Sequence, residues 1–160
     1  MDSSADPQGG ARHPSNILNP IRDEEFRILA EDAPVMLWLT NSKGMVIFTN
    51  SKWRKFVGAP SGKQISGDVW VNSLHKDDRD RCLHAFDEAF SNHQAFEMEY
   101  RLIRGDGQYR YVLDTGEPYI NNEGKFSGFI GCSTDITDRK NAENQLRHSE
   151  RELTQHNREM

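Results

Sequence analysis

Residues 96–137 read FEMEYRLIRGDGQYRYVLDTGEPYINNEGKFSGFIGCSTDIT and carry the strongest structural signal in the chain. The run FEMEYRL (96–102) alternates apolar and polar residues, which is the period of a half-buried strand. The glycine-containing turns GDG (105–107) and NNEG (121–124) divide the stretch into three segments of strand length. The sequence therefore predicts three consecutive antiparallel strands joined by hairpin turns.

A second hairpin and two helices are predicted upstream of these strands. The apolar runs VMLWLT (35–40) and MVIFTN (45–50) flank a turn that ends in Gly44, which indicates a β-hairpin. SKWRKFVG (51–58) has its apolar residues at helical spacing and ends in a glycine, a common stop of a helix. Residues 77–91 place their apolar side chains on one helical face and predict a longer helix.

Three further expectations concern the segments around these elements. A short helix that begins near Asp23, with Phe26, Leu29 and Ala30 on one face, is expected to precede the hairpin. Residues 59–76, rich in Gly and Ser, are expected to form loops and short turns, and Asp77 or Asp78 to cap the long helix. The order of elements predicts an α+β domain, in which five antiparallel strands form one sheet and the helices gather on one face.

The chain divides into three parts. Residues 1–22 contain Pro, Gly, Ser and Asp with little that could pack, which predicts a disordered leader. Residues 23–137 form the predicted globular domain. Residues 138–160 are charged, lack Gly and Pro, and predict a helix that leaves the domain.

This C-terminal helix carries a short, weak heptad pattern. Leu146 and Leu153 are seven residues apart, and Ala142 begins the alternate seam position. The pattern predicts a coiled-coil-like helix that pairs with a second copy, and a solvated single helix is the alternative. Because the pattern stops in mid-repeat at Met160, we expect the chain to be a piece of a longer protein.

Composition excludes several classes of function. The chain has 160 residues, 35% hydrophobic residues and a net charge of −5, so it lacks the basic surface of a nucleic-acid-binding protein. No apolar run approaches the roughly 20 residues that span a membrane, and the polar N-terminus does not look like a signal peptide. Two cysteines without a CxxC motif indicate a reducing, cytoplasmic setting.

Several segments, taken in order, resemble the PAS sensor domain family over about residues 24–140. MVIFTN followed by SKWRKFVG (45–58) resembles the second PAS strand, with an Asn at its end and an aromatic residue soon after. HKDDR (75–79) resembles the HPDDR element before the long PAS helix, with Lys in place of Pro. EYRLIRGDGQYRYVLDTGEP (99–118) and GFIGCSTDITDRKNAE (128–143) resemble the last three strands and the exit into a signalling helix.

This resemblance implies a sensing or dimerising module that regulates an output domain of the histidine kinase or diguanylate cyclase type. Such domains can hold a ligand or cofactor between the sheet and the long helix, and many hold none that is known. The resemblance also implies that Asp135, Ile136 and Thr137 pass strain from the sheet to the signalling helix. Ile136 is expected to anchor the last strand, and Asp135 or Thr137 to cap the helix.

Two cofactors of the family are disfavoured by the residues present. Alignment on the preceding Asp-Arg repeat puts Cys82 where haem-binding members have an axial His, and a free Cys on an apolar helix face is usually a core residue. The stretch GKQISGDVWVNSLHK (62–76) lacks the Cys with which light-sensing LOV members form a covalent flavin adduct. His75, His84 and His93 lack the spacing of metal ligands, and no catalytic motif is present, so the cofactor stays unknown.

Aromatic and apolar residues of the predicted core are the candidates for a ligand pocket. They are Trp38, Phe48, Trp53, Phe56, Trp70, Cys82, Phe86, Met98, Tyr100, Tyr111 and Ile130. The hydroxyls of Tyr100 and Tyr111 would orient a small ligand against an otherwise apolar wall. The alternative, equally compatible with the sequence, is that these side chains fill the core completely.

The leading hypothesis is therefore a sensory module without enzymatic activity of its own. A ligand or partner would favour one of two arrangements of sheet and long helix, and the C-terminal helix would change its pairing within a homodimer. A ligand-free dimerisation or interaction module is the alternative, and a catalytic role for the segment ranks third.

Overall fold

The structure is a computed structural model that describes residues 20–59 and 66–160. Its elements, in chain order, are α1 (Pro20–Asp32), β1 (Met36–Thr40), β2 (Val46–Thr49), α2 (Ser51–Val57), α3 (Gly67–Ser73), α4 (Lys76–Asn92), β3 (Phe96–Ile103), β4 (Tyr109–Ile120), β5 (Phe126–Asp135) and α5 (Thr137–Glu159). The predicted disordered leader, residues 1–22, lies outside the described residues apart from the beginning of α1.

The five strands form one antiparallel sheet in the order β2-β1-β5-β4-β3. The first and last strands are neighbours, and Trp38 on β1 lies opposite Gly131 on β5. Inward positions on β3 alternate strictly, with Met98, Tyr100 and Leu102 buried. The α+β fold predicted from the sequence is therefore confirmed, and its inner face lies under helices α2, α3 and α4.

The long helix α4 is fastened to the edge strand β3 at its N-terminal end. Asp78 accepts hydrogen bonds from the backbone N–H of Arg101 at 2.9 Å and from its guanidinium at 2.8 and 3.0 Å. The hydrogen bonds from Arg101 outweigh burial and lower the pKa of Asp78 to about 2. The backbone N–H of His75 also donates to the carbonyl oxygen of Arg101 at 2.9 Å. These bonds occupy backbone groups that an edge strand otherwise leaves unpaired.

The bounds of α4 agree with the prediction, but its cap does not. The helix predicted over residues 77–91 is observed over Lys76–Asn92. His75 is the N-cap residue, and its Nδ1 accepts a hydrogen bond from the backbone N–H of Asp77 at 3.1 Å. The predicted cap by Asp77 or Asp78 is wrong because the side chain of Asp78 is committed to Arg101.

Two other expectations about helices are corrected by the structure. The segment predicted as loops, residues 59–76, contains the helix α3, which packs on the core through the half-buried Trp70. Phe26 and Leu29, predicted to pack against the domain, are 63% and 72% exposed. Ala30, predicted to share that face, is buried, and its carbonyl oxygen accepts a hydrogen bond from the side chain of Asn50, which precedes α2.

The residue that holds α1 and the hairpin together is Asn50, which is fully buried. Its amide group donates to the carbonyl oxygens of Ala30 at 2.9 Å and Val35 at 2.7 Å. Its side-chain oxygen accepts from the backbone N–H of Leu37 at 3.0 Å and caps α2 through Trp53 at 3.3 Å. One side chain thus satisfies backbone groups from α1, β1, α2 and the segment between α1 and β1.

We predict that Asn50→Ala lowers the free energy of unfolding by about 3 kcal/mol, because it leaves several buried backbone groups without partners. Asn121→Ala is the matched control, since Asn121 also accepts from two backbone N–H groups but lies exposed in a hairpin turn. Its expected cost is about 1 kcal/mol. Urea denaturation of both variants measures the difference, and equal costs would contradict the role assigned to Asn50.

Candidate functional site

A cavity of about 240 Å³ lies between the inner face of the sheet and helices α2, α3 and α4. Its lining residues are Trp38, Thr40, Gly44, Val46, Thr49, Trp53, Ser66, Gly67, Trp70, Val71, Leu83, Phe86, Asp87, Phe96 and Asp114. A mostly apolar, aromatic wall with a few polar groups is typical of small-molecule sites. Pockets for drug-sized ligands have volumes of roughly 300–1,000 Å³, so this cavity suits a smaller molecule.

The aromatic wall is a connected series of rings. Trp38 stacks with Phe96 at a centroid distance of 5.9 Å, and Phe96 meets Phe86 edge-on at 5.8 Å. Phe86 in turn lies 6.1 Å from the ring of Trp70 on α3. These contacts join two strands of the sheet to two helices, so the wall is one packed unit.

Two glycines let the rings of this wall lie flat on the sheet. A Cβ atom at Gly131 would come within 2.0 Å of the Trp38 ring, and one at Gly116 within 2.3 Å of the Phe96 ring. Both distances are far below van der Waals contact, so neither position accepts a side chain without moving the ring. The glycines of β4 and β5 therefore keep the two rings against the sheet and leave space beneath the helices.

At the floor of the cavity lies the buried carboxylate of Asp114 on β4, which is 4% exposed. Its Oδ1 accepts from the indole N–H of Trp38 and from the hydroxyl of Ser133, both at 2.8 Å. Its Oδ2 accepts from the hydroxyl of Tyr100 at 2.9 Å. Burial raises the pKa of Asp114 to about 6, although the three hydrogen bonds oppose the rise. Because this pKa lies near neutral pH, a charge placed next to the carboxyl group would change its protonation state.

The Tyr100 hydroxyl extends this network to α3. It accepts a hydrogen bond from the indole N–H of Trp70 at 3.0 Å while donating to Asp114. Burial, together with the negative charge of Asp114, holds the pKa of Tyr100 well above its ordinary value. Tyr100 therefore stays a protonated donor, and the network joins α3 to four strands, β1, β3, β4 and β5.

A β-bulge decides which residues of β2 reach the cavity. The register between β1 and β2 shifts between Leu39 and Thr40, so that one residue of β2 has no partner. Val46 and Thr49 consequently both line the cavity. Phe48 pairs with Leu39 on the opposite face and lies beside α1 instead.

The residues predicted to line a pocket separate into three groups. The first group lines the cavity and consists of Trp38, Trp53, Trp70 and Phe86. The second group packs in or against the core beside the cavity and consists of Phe56, Cys82, Met98 and Tyr100. The third group lies elsewhere and consists of Phe48, Tyr111 and Ile130. Ile130 is 41% exposed because alternation along β5 turns Phe129 inward and Ile130 outward. Tyr111 is likewise out of phase with the inward residues Val112 and Asp114.

Cys82 is a fully buried core residue of α4. Burial raises the pKa of its thiol to about 11, so the neutral thiol form is favoured. Within the described ranges, no group of three or more His, Cys, Asp or Glu side chains is placed to hold a metal ion.

Sequence reasoning missed the most polar residue of the cavity, Asp114. A signal was present, because Asp114 follows Val112 at the inward period of β4 and is an acid where alternation predicts a buried side chain. Leu83 and Asp87, on α4, were also not among the candidates and line the cavity. Thr40 and Thr49 face inward in the regular register of β1 and β2 and were missed because only aromatic and apolar residues were taken as candidates, whereas the bulge explains why Val46 was missed.

A second polar cluster forms the exit from the sheet into α5. Asp135 Oδ1 accepts from the backbone N–H of Thr137 at 3.0 Å and from its hydroxyl at 2.6 Å, while Oδ2 accepts from Arg110 at 2.8 Å. Burial alone would raise the pKa of Asp135, but the hydrogen bonds from Thr137 and Arg110 outweigh it and lower the pKa. Thr137 Oγ1 also accepts from the backbone N–H of Tyr111 at 2.9 Å, and Ile136 is buried. These contacts fix the direction in which α5 leaves.

Beyond this exit, α5 extends into solvent. Leu146 and Leu153 are 62% and 64% exposed, and Ala142 is exposed as well. Near its start, Lys140 and Arg139 pair with Glu99 on β3 at 2.5 and 3.6 Å. None of the helices in the described part of the chain is long and apolar enough to cross a membrane.

Comparison with known proteins agrees with this architecture. The uncharacterized protein y4lL of Sinorhizobium fredii is 39% identical over 76% of this chain and 14% of its own length. The peroxide stress-activated histidine kinase mak1 of Schizosaccharomyces pombe is 28% identical over 79% of this chain and 8% of its own length. The chain thus spans a small part of these relatives.

A solved structure and a family model are also similar to this chain. The sensory box histidine kinase/response regulator structure from Burkholderia thailandensis has a TM-score of 0.62 and 28% identity, covering 82% of this chain and 98% of that one. The model described as PAS fold matches residues 46–133, more than half of the chain. With the five-stranded sheet described above, this match shows that the chain belongs to the PAS domain family.

Proposed function

We propose that this chain is the sensory PAS module of a cytoplasmic signal-transduction protein. It binds a small ligand in the cavity, has no catalytic activity of its own, and regulates an output domain of the histidine kinase or diguanylate cyclase type through α5. Membership of the PAS family and the histidine kinases among its relatives support this role.

The observation that carries the proposal is that β5 connects the cavity floor to α5, with a cluster of side-chain hydrogen bonds at each end of the connection. Asp114 accepts from Trp38 in the wall and from Ser133 on β5. Two residues beyond Ser133, Asp135 accepts from both donors of Thr137 at the start of α5. A ligand that displaces Trp38 or Asp114 therefore acts on the strand that holds the first turn of α5.

The proposed mechanism has two states. A ligand shifts the balance between them only through a difference in its affinity for each, and the contacts with Trp38 and Asp114 supply that difference. The last strand then moves, and α5 changes its pairing with the α5 of a second copy. Isolated helices of this length are marginal in water, so a modest change at the exit is enough to alter the pairing.

A ligand-free interaction module is the second candidate, and one observation favours it. Apolar side chains are exposed on α1 and on the strands, as in Phe26, Ile28, Leu29, Ile47, Ile120 and Ile130. Exposed apolar surface of this kind marks interaction sites when it is contiguous. In this alternative the domain dimerises or docks through that surface, and the cavity stays without an occupant.

Native mass spectrometry separates the two candidates. Purified protein, measured as isolated and after incubation with a library of small metabolites, is expected to carry one bound molecule per chain. Its absorption spectrum is expected to show no haem or flavin band. Leu83→Trp is the control, because Leu83 lines the cavity and a larger ring there fills it. Bound molecules that persist in Leu83→Trp, or none in either protein, would favour the interaction module.

We predict that Asp135→Ala leaves the domain folded, costs about 1 kcal/mol of stability, and weakens transmission of the signal. The reason is that Asp135 holds both donors of Thr137. Asp138→Ala is the matched control, since Asp138 lies in the first turn of α5 and its fully exposed side chain makes only a loose pair with Arg110, at 3.9 Å. Output activity of the complete receptor, measured with and without stimulus, tests this; equal regulation in Asp135→Ala and the wild type would contradict it.

The third test concerns α5 as a weak parallel dimer helix. Leu146→Asp with Leu153→Asp is expected to lower the association constant at least tenfold, as is a chain ending at Asp138, because both remove the apolar seam. The control is Asn144→Asp with Gln155→Asp, which adds the same charge on the opposite face of the helix. This variant is expected to change the association constant little. Sedimentation equilibrium measures all four proteins, and identical association constants would show that α5 plays no part in dimerisation.

A further inference from the structure

The cavity has a pronounced electrostatic bias. Its lining contains five aromatic rings and the carboxylates of Asp114 and Asp87. Among the lining residues in the described part of the chain, none is Lys, Arg or His. Aromatic faces carry negative electrostatic potential, so rings and carboxylates act in the same direction and disfavour an anionic occupant.

The position of Asp114 strengthens this bias. Its three donors, Trp38, Tyr100 and Ser133, are all neutral. Within residues 20–59 and 66–160, no cationic side chain pairs with it, whereas Asp78 and Asp135 each have an arginine. A buried carboxylate is normally compensated by a cation, and here the space that a cation would occupy is the cavity.

The hydrogen-bonding capacity of the site is also incomplete. A carboxylate offers about four acceptor positions, and three are used at Asp114, with one position left on Oδ2. On another wall, Trp53 is 3% exposed and its indole N–H has no acceptor among the described residues. Buried donors of this kind are costly unless something accepts from them.

We propose that the cavity binds a small organic cation, an alkylammonium group that carries a hydrogen-bond acceptor. The ammonium lies among the aromatic rings beside Asp114, and the acceptor meets the indole N–H of Trp53. Cation–π attraction and the low dielectric of the site both favour the positive charge. This inference rests on the proposed ligand-binding function and names the chemical class of the ligand.

Paired probes of equal shape test the charge alone, because a quaternary ammonium has no N–H to donate to the free position of Asp114. Choline carries a quaternary ammonium and a hydroxyl, and 3,3-dimethylbutan-1-ol is its neutral counterpart with carbon in place of nitrogen. All three tryptophans of the chain line the cavity, so tryptophan fluorescence reports binding at this site. Choline is expected to saturate the fluorescence change with at least tenfold higher affinity than the neutral alcohol.

Variants locate the effect within the site. Asp114→Asn is expected to weaken choline binding at least tenfold, and Asp87→Asn, at the exposed edge of the cavity, by less. Asp106→Asn, in an exposed hairpin turn outside the cavity lining, is the control that should bind like the wild type. Because the comparison of choline with the alcohol uses the wild-type chain, it stays decisive even if Asp114→Asn fails to fold.

The outcomes distinguish this inference from the proposed function. Equal affinity for choline and the neutral alcohol, or tighter binding of the anion 3,3-dimethylbutanoate, would overturn the assignment of a cation while leaving ligand binding intact. No binding of any of these probes, combined with no retained molecule in native mass spectrometry, would overturn both.

Discussion

The buried carboxylate of Asp114 is the constraint around which the rest of the domain is arranged. Removing an ionised carboxylate from water costs several kcal/mol unless hydrogen bonds or a cation replace its hydration. Donors on β1, β3 and β5 supply those bonds, and each is held in place by its own strand. Three strands must therefore converge on one point of β4, which fixes their register and leaves the cavity directly beside the charge.

The walls of that cavity are anchored unequally. On one side, Asp78 and Arg101 fasten α4 to β3 with three hydrogen bonds. On the other side, α3 has no fully buried residue, and a single side-chain bond, from Trp70 to Tyr100, ties it to the network. Segments with few buried contacts open at the lowest free-energy cost. The contacts thus fix α3 less firmly to the sheet than α4.

The sequence predicted the parts of the fold that depend on local periodicity. Alternation in FEMEYRL and the helical spacing in residues 77–91 each correspond to an observed element, because one buried face imposes one period. The misses have non-local causes. Helix α3 is stabilised by tertiary packing of Trp70. A bulge in β2 puts Val46 on the inner face, while Phe48, which pairs with Leu39, faces outward. Alternation along β4 marks Asp114 as inward, but its three donors lie on other strands, so no local pattern shows how an acid is accommodated there.

Asp114 at the cavity floor and Asp135 at the exit into α5 differ in the charge of their hydrogen-bonding partners. The two carboxyl groups therefore respond differently to pH. Asp135 is paired with Arg110, and its lowered pKa keeps it ionised, so its contribution to stability is lost only as pH falls well into the acid range. Asp114 has neutral donors and a pKa of about 6, so folding is favoured by acid and stability declines as pH rises from about 4 to about 6. A positive charge in the cavity would stabilise the ionised form of Asp114 and leave Asp135 unchanged. The carboxylate at the exit into α5 therefore stays ionised over the pH range in which the carboxyl at the cavity floor titrates.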